Sequence, residues 1–237
     1  MRQRPFLLGI QKTVPLMIGV VPFGLAYGIT AVQSGISPAE ATLMSAVVFA
    51  GASQFLALGL LGQGAGYLLI ILSTLLINLR HLLMGLSLSP YLKKQRSGRL
   101  CLLAFGMVDE CYATTISHYQ AGGQEDGDPL FMLGSGAGLY LAWLTSSAVG
   151  CRLAASISDP LAWGLDFAMP VTFLTMLIPQ IGSVRMLAVA LASGLSAVAF
   201  YLLIPGKWYI ILAALLATVL GAVLESHAER RCAPSCA

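Results

Sequence analysis

The chain has 237 residues, of which 57% are hydrophobic and only 10% carry a charge. A soluble domain places charge on about 25% of its residues, which would be roughly 60 here, against the 13 basic and 10 acidic residues present. That scarcity, with a mean hydropathy of +0.83, excludes a soluble enzyme, a nucleic-acid-binding protein and a disordered chain.

The charges that do occur are spaced so as to leave long gaps. Thr13 to Ala39 has none, Ala41 to Leu79 is uncharged throughout, and Pro129–Cys151, Phe167–Val184, Met186–Gly206 and Trp208–Leu224 are equally bare. An apolar run of about 18 or more residues is long enough to cross a ~30 Å hydrocarbon core as a helix. Eight apolar segments follow in chain order: residues 13–32, 41–61, 65–90, 100–118, 130–150, 162–181, 186–204 and 208–224. The expected fold is therefore an all-α polytopic membrane protein of six to eight helical segments. It forms one transmembrane domain over residues 1–237, with the lipid bilayer as its solvent and a short polar tail from 226 to 237. The basic start, Met1-Arg2-Gln3-Arg4, leads into an apolar stretch too long for a signal peptide and without a small-residue cleavage site. It reads as a retained first span.

Orientation follows from the cytoplasmic excess of Lys and Arg. Lys93, Lys94, Arg96 and Arg99 form the densest basic loop, and Arg2, Arg4 and Lys12 mark the N-terminus. Both cannot be cytoplasmic if segments one, two and three all cross. Segment two has small and polar residues at its middle, Gly51-Ala52-Ser53-Gln54, where a helix can break and return to the side it entered from. Pro170 gives segment six a similar interruption, because proline removes a backbone donor. Non-helical backbone at membrane depth is tolerated only inside protein or against a water cavity, so such breaks mark a transport path. With both segments re-entrant, residues 13–90 and 130–204 become inverted repeats linked by 100–118. In that arrangement Arg152 lies inside, and the acidic 119–128 loop lies outside. Paired broken helices in inverted repeats are a transporter signature.

Ionisable groups inside membrane segments cost ~2.5–3.5 kcal/mol on insertion scales and are functional by default. Three sites qualify. Arg80 and His81, following Asn78 in segment three, offer a bidentate carboxylate ligand and a group that titrates near neutral pH; Arg80 equally suits a structural pair with Asp109. Asp109 and Glu110 in segment four are candidate proton carriers. As neighbours on a helix they point about 100° apart and should not face one cavity equally. Asp166, beside the proline break, fits the start of a half-helix or a substrate contact. Ser53, Gln54 and Asn78 are uncharged hydrogen-bonding candidates, although polar residues also glue helices together in lipid. Glycines 19, 24, 28, 134, 136 and 138 suit close helix packing. Cys101, Cys111, Cys151, Cys232 and Cys236 make no disulfide framework, and Cys-x3-Cys without histidines is a poor metal motif. No phosphate-binding loop or nucleophile elbow is present, so no cofactor, metal or catalytic residue is expected. The function is not enzymatic.

These same residues carry a resemblance. Val21-Pro22-Phe23-Gly24-Leu25-Ala26-Tyr27-Gly28, Phe49-Ala50-Gly51-Ala52-Ser53-Gln54-Phe55 and Leu79-Arg80-His81-Leu82-Leu83-Met84-Gly85 with Ser87-Leu88-Ser89-Pro90 resemble successive blocks of the AzlC-type family. So do Ala104-Phe105-Gly106 leading to Asp109-Glu110, and Leu165-Asp166-Phe167-Ala168-Met169-Pro170 with Phe173. That family comprises the large subunits of bacterial branched-chain amino-acid exporters of the inner membrane. The resemblance implies export of valine, leucine, isoleucine or methionine, driven by protons, with a small AzlD-type membrane subunit as partner. It carries over Gly51, Ala52, Ser53, Gln54, Arg80, His81, Asp109, Glu110, Asp166 and Pro170 as candidate residues. By their chemistry Gly51 to Gln54, Asn78, Arg80, Asp166 and Pro170 suit substrate binding, with Phe49, Phe55 or Phe173 against the aliphatic side chain. His81, Asp109 and Glu110 suit proton coupling. A passive channel or a non-transporting assembly subunit is the alternative.

Overall fold

The computed structural model describes residues 4–121, 127–156, 181–204 and 208–232, together with positions 174, 177 and 178. Among these residues the structure is helical, without strands: α1 (Pro5–Gln33), α2 (Pro38–Val48), α3 (Gly51–Gly62), α4 (Tyr67–Leu88), α5 (Ser97–Phe105), α6 (Asp109–Ala121), α7 (Pro129–Leu153), α8 (Val184–Leu203) and α9 (Tyr209–Cys232). Segments one, three, seven and eight become single long helices apolar enough to cross a membrane. α9 runs on to Cys232, so most of the expected polar tail continues a helix. Segment six, with Asp166, Pro170 and Phe173, lies outside the described residues.

The core is a seam between α1 and α7. Small residues let the two backbones meet: a methyl group at Gly9 would strike the Phe131 carbonyl, and one at Gly150 would strike that of Leu25. Glycines in such positions are the usual device for helix association in lipid, where no hydrophobic force draws apolar helices together. Midway, buried Thr13 hydrogen-bonds to Ser135 at 2.8 Å. The pairs advance together along both helices, Gly9 with Phe131, Gly24 with Ser146 and Gly28 with Ser147, so α1 and α7 are parallel. Inverted copies of segments one and five would run in opposite directions. The expected pairing of 13–90 with 130–204 as inverted repeats therefore does not describe this seam. Of the glycines expected to pack, all but Gly19 contact other helices.

The Gly127 amide donates to the Tyr91 carbonyl at 2.9 Å, so the end of α4 lies beside the start of α7 and, through the seam, beside the start of α1. α4 must run against α1. The chain leaves α1 at one end of the bundle and begins α4 at that same end, so α2–α3 is a hairpin that enters and leaves without crossing. Its contacts agree. Thr42 lies near Cys151, the Tyr140 hydroxyl donates to Ala46 at 2.9 Å, and then Phe55 climbs back to Tyr27. Segment two is re-entrant, as its composition indicates.

Segment four holds the larger surprise. It does not span. α5 rises from the N-terminal end of the bundle until Gly106 abuts Gly136. α6 then descends, with Asp109 against Arg80, Ser87 against Tyr112 and Tyr119 donating to the Asp128 carbonyl. It is a second hairpin, entering from the opposite end to the first. The basic loop 91–99 thus shares the N-terminal side with Lys12, as the positive-inside rule requires. Gly127 and Asp128 are on that side too, which corrects the placement of the acidic loop outside. Arg152, at the far end of α7, is on the opposite side rather than inside. α8 and α9 pair antiparallel, joined by an edge-to-face contact of Tyr201 and Tyr209 at one end and Arg185–Glu225 at 3.6 Å at the other. They touch the rest of the bundle at α4.

Candidate functional site

The tips of the two hairpins meet near mid-depth. In the first, Phe49 adopts a left-handed backbone (φ 40°), which costs a non-glycine residue about 1–3 kcal/mol. Its ring packs on Phe105 and Tyr140, with centroids 6.2 and 5.1 Å away. The strained turn reverses the chain, and α3 begins at Gly51 with no side-chain cap. The first amides of a helix have no intrahelical partner; here they stand at the wall of a cavity and form a ready anion-binding end. In the second hairpin the turn lies over 106–108, and α6 starts with Asp109 and Glu110. Both acids sit at its positive dipole end, where negative charge is favoured.

Between the tips lies a cavity of about 190 Å³. It is smaller than the ~300–1,000 Å³ of pockets for drug-sized ligands, so it suits a small solute. Val20 and Phe23 of α1, Phe49, Ala50, Gly51, Ala52 and Phe55 of the first hairpin, and Leu139 and Trp143 of α7 supply most of its wall. Arg80, His81, Val108, Asp109 and Glu110 close the other side. The chamber is therefore apolar on one flank and charged on the other. Arg80 and Asp109 form an ion pair, and Nε of Arg80 is buried without a hydrogen-bond partner among the described residues. His81 Nδ1 lies 3.1 Å from the Asn78 carbonyl.

Of the residues singled out in the sequence, Gly51, Ala52, Arg80, His81, Asp109 and Glu110 line this one cavity. Asp109 and Glu110 both reach it. Their divergence on a helical wheel matters little at a helix end, where the cavity wraps the first turn. Ser53, Gln54 and Asn78 do not line it, and their partners are protein. Ser53 donates to Asn78 at 2.7 Å. Gln54, fully buried, donates to Ser45 at 3.2 Å and accepts from the Trp143 indole at 3.1 Å. That relay ties α2, α3 and α7 together and turns the indole onto Gly51, leaving no room there for a side chain. Asp166 and Pro170 fall outside the described residues. Val20, Phe23, Leu139 and Trp143 were not foreseen as lining residues. Phe23 lies within a recognisable motif, but Leu139 and Trp143 carry no signal in an apolar segment until its partners are known. Among the described residues, no group of three or more His, Cys, Asp or Glu side chains could hold a metal.

Comparison with known proteins places this architecture. The model of the AzlC protein family matches residues 15–157, a range holding both hairpins and every lining residue. The inner membrane protein YgaZ of Escherichia coli is 26% identical over 191 residues, 79% of this chain and 78% of that protein. An uncharacterised membrane protein of Archaeoglobus fulgidus is 30% identical over 200 residues, 84% of this chain and 85% of its own length. The branched-chain amino acid transport protein AzlC of Bacillus subtilis is 29% identical over 168 residues, 71% of this chain and 65% of its own. No solved structure matches. With residues from four of its family blocks lining one cavity, the chain belongs to the AzlC family and is a multi-pass inner-membrane protein with a role in membrane transport.

Proposed function

We propose that this protein is the large permease subunit of a two-component exporter. It moves valine, leucine, isoleucine and methionine out across the inner membrane, coupled to protons, together with a small AzlD-type membrane subunit. One observation carries the reading: the cavity between the hairpin tips pairs an apolar flank with charges of both signs, the complement of a zwitterion with an aliphatic side chain. The substrate carboxylate meets the uncapped amides at Gly51 and Ala52 or the guanidinium of Arg80. Its ammonium meets Asp109 or Glu110. Its side chain lies against Val20, Phe23, Phe49 and Phe55. The family assignment and the name of the Bacillus subtilis relative support the substrate class.

The hairpins also suggest how access alternates. α2–α3 stands between the chamber and one face of the membrane, and α5–α6 stands between it and the other. Withdrawing either tip opens one side while its counterpart stays shut, which is what alternating access around a fixed site requires. The test is efflux of labelled leucine from cells carrying this protein with and without the small subunit, before and after a protonophore. Export that needs both subunits and falls at least tenfold when the gradient collapses is the expected result. Export at an undiminished rate without a gradient would leave a passive channel.

A further inference from the structure

α6 is an unusual occupant of a membrane. Its sequence, Asp109-Glu110-Cys111-Tyr112-Ala113-Thr114-Thr115-Ile116-Ser117-His118-Tyr119-Gln120-Ala121, is polar on one long face. Polar groups at membrane depth face protein or water, not lipid tails. Part of this face is spent on packing: Thr115 and Tyr119 are buried, and His118 stacks on Phe131 with centroids 3.8 Å apart. The rest lines a second cavity of about 440 Å³, between Lys12 and Leu16 on α1 and Thr114, Ser117 and His118 on α6. It follows the same α1–α6 groove as the central chamber. On α1 the lining residues step from Val20 to Leu16 to Lys12, and on α6 from Glu110 to Thr114 to His118. These are four-residue intervals, about one helical turn of ~5.4 Å each. One turn of wall separates the two spaces.

The two acids at the head of this groove are not equivalent. Asp109 is committed to Arg80, whereas Glu110 is the next residue round the helix and starts the row that leads downward. We propose that the α1–α6 groove is an aqueous route joining Glu110 to the N-terminal side of the membrane, and that Glu110 is the carboxylate that receives the transported proton from the chamber and releases it through this groove. Asp109 remains the partner of Arg80. Among the described residues, the charged and titratable groups around Glu110 are Asp109 and Cys111 on its own helix, Arg80 and His81 on α4, and, further down the groove, Lys12 on α1 and His118 on α6. The α7 side contributes apolar Leu139 and Trp143. The proton leaves a carboxyl oxygen of Glu110 for water in the groove and is replaced from the chamber when that opens to the other side. This assignment deepens the exporter reading and rests on it for the identity of the driven solute, but the route itself is testable without any substrate.

The experiment uses the full chain in vesicles of both orientations, its native cysteines replaced by serine, and a membrane-impermeant thiol reagent. Single cysteines are placed by S117C, T114C and E110C, with I18C on the exposed outer face of α1 as a lipid-facing control. From the N-terminal side, all three groove positions should react at least tenfold faster than I18C, and S117W should slow reaction at E110C at least tenfold. Groove cysteines that react no faster than I18C, or an E110C rate unaffected by S117W, would overturn the route. If the groove labels as expected but branched-chain amino acids evoke no proton movement in the unmodified protein, the route stands and the exporter reading fails.

Discussion

The hairpin α2–α3 has one charged residue, Glu40, at its mouth, while α5–α6 carries Arg99, Asp109 and Glu110. The first is held by side chains reaching for backbone and for each other: Tyr27 donates to the Ala41 carbonyl, Tyr140 to that of Ala46, and Gln54 bridges Ser45 and Trp143. Its turn is a strained phenylalanine wedged among aromatic rings. The second is tied by the Arg80–Asp109 ion pair, by a glycine-on-glycine contact, by Phe105 against Phe49 and Tyr140, and along α6 by Tyr112, His118 and Tyr119, and its turn at Gly106 has an ordinary φ of −81°. The two loops thus divide the work of the chamber. The apolar hairpin fixes its shape and presents uncapped amides, and the polar one brings its negative charge. The loop that sets shape is tied at its tip by hydrogen bonds among uncharged groups and by aromatic packing, whereas the one that carries charge adds an ion pair there.

That contrast can be broken most severely at the ion pair. Replacing Arg80 by Met leaves Asp109 uncompensated. Removing one partner of a fully buried pair costs about 3–5 kcal/mol, and with 26% and 30% of these side chains accessible the lower end applies. Thermal unfolding in detergent should show a large fall in Tm for Arg80→Met, and adding Asp109→Leu should restore much of it. A double variant no more stable than the single one would show that the pair does not hold the second tip in place. A smaller effect is expected from Gly136→Val. Even one carbon there would lie 2.8 Å from the Gly106 carbonyl oxygen, so the α5–α6 tip must move. Overpacking of this kind costs about 1–3 kcal/mol. Proteolysis or thiol labelling at native Cys101 should report a loosened second hairpin with the first unchanged. Smallest is Ser37→Ala. It removes half of a capping box in which Glu40 accepts from the Ser37 amide at 3.0 Å and donates its own amide back to Ser37. A lost N-cap is worth about 1 kcal/mol. Because the first hairpin has so many other ties, Tm should fall by only a few degrees and transport should persist.

Much of this was legible in the sequence, and the reasons are specific. The charge-free runs expose α1, α4, α8 and α9 because a bilayer tolerates little else. The re-entrance of segment two follows from where Lys93, Lys94, Arg96 and Arg99 must sit. The same logic failed for segment four, where a stretch read as one apolar segment hides a turn at Gly106. A short apolar helix followed by a polar one averages to something that looks like a span. The parallel α1–α7 seam was invisible because its signal is smallness at one-turn spacing on two helices far apart in sequence, and neither shows which partner it fits. Among the candidate residues, the charged or titratable Arg80, His81, Asp109 and Glu110 line the one cavity, and Asp166 lies outside the described residues. Uncharged polarity was a poor guide, since Ser53, Gln54 and Asn78 spend their hydrogen bonds on one another and on neighbouring helices.

The seam also constrains how the protein is made. Thr13 and Ser135 stand 122 positions apart, and at ~5–20 residues per second of synthesis α1 waits on the order of ten seconds for α7. During that wait both hairpins emerge with nothing between them and lipid but α1 and α4, and none of their single helices is long enough to settle as a span. The polar face of α6 has no shelter until Phe131 and the residues around it arrive. Assembly of the chamber is therefore a late event governed by the seventh helix, and a nascent chain stopped before Pro129 should be a substrate for membrane quality control and not a partial transporter.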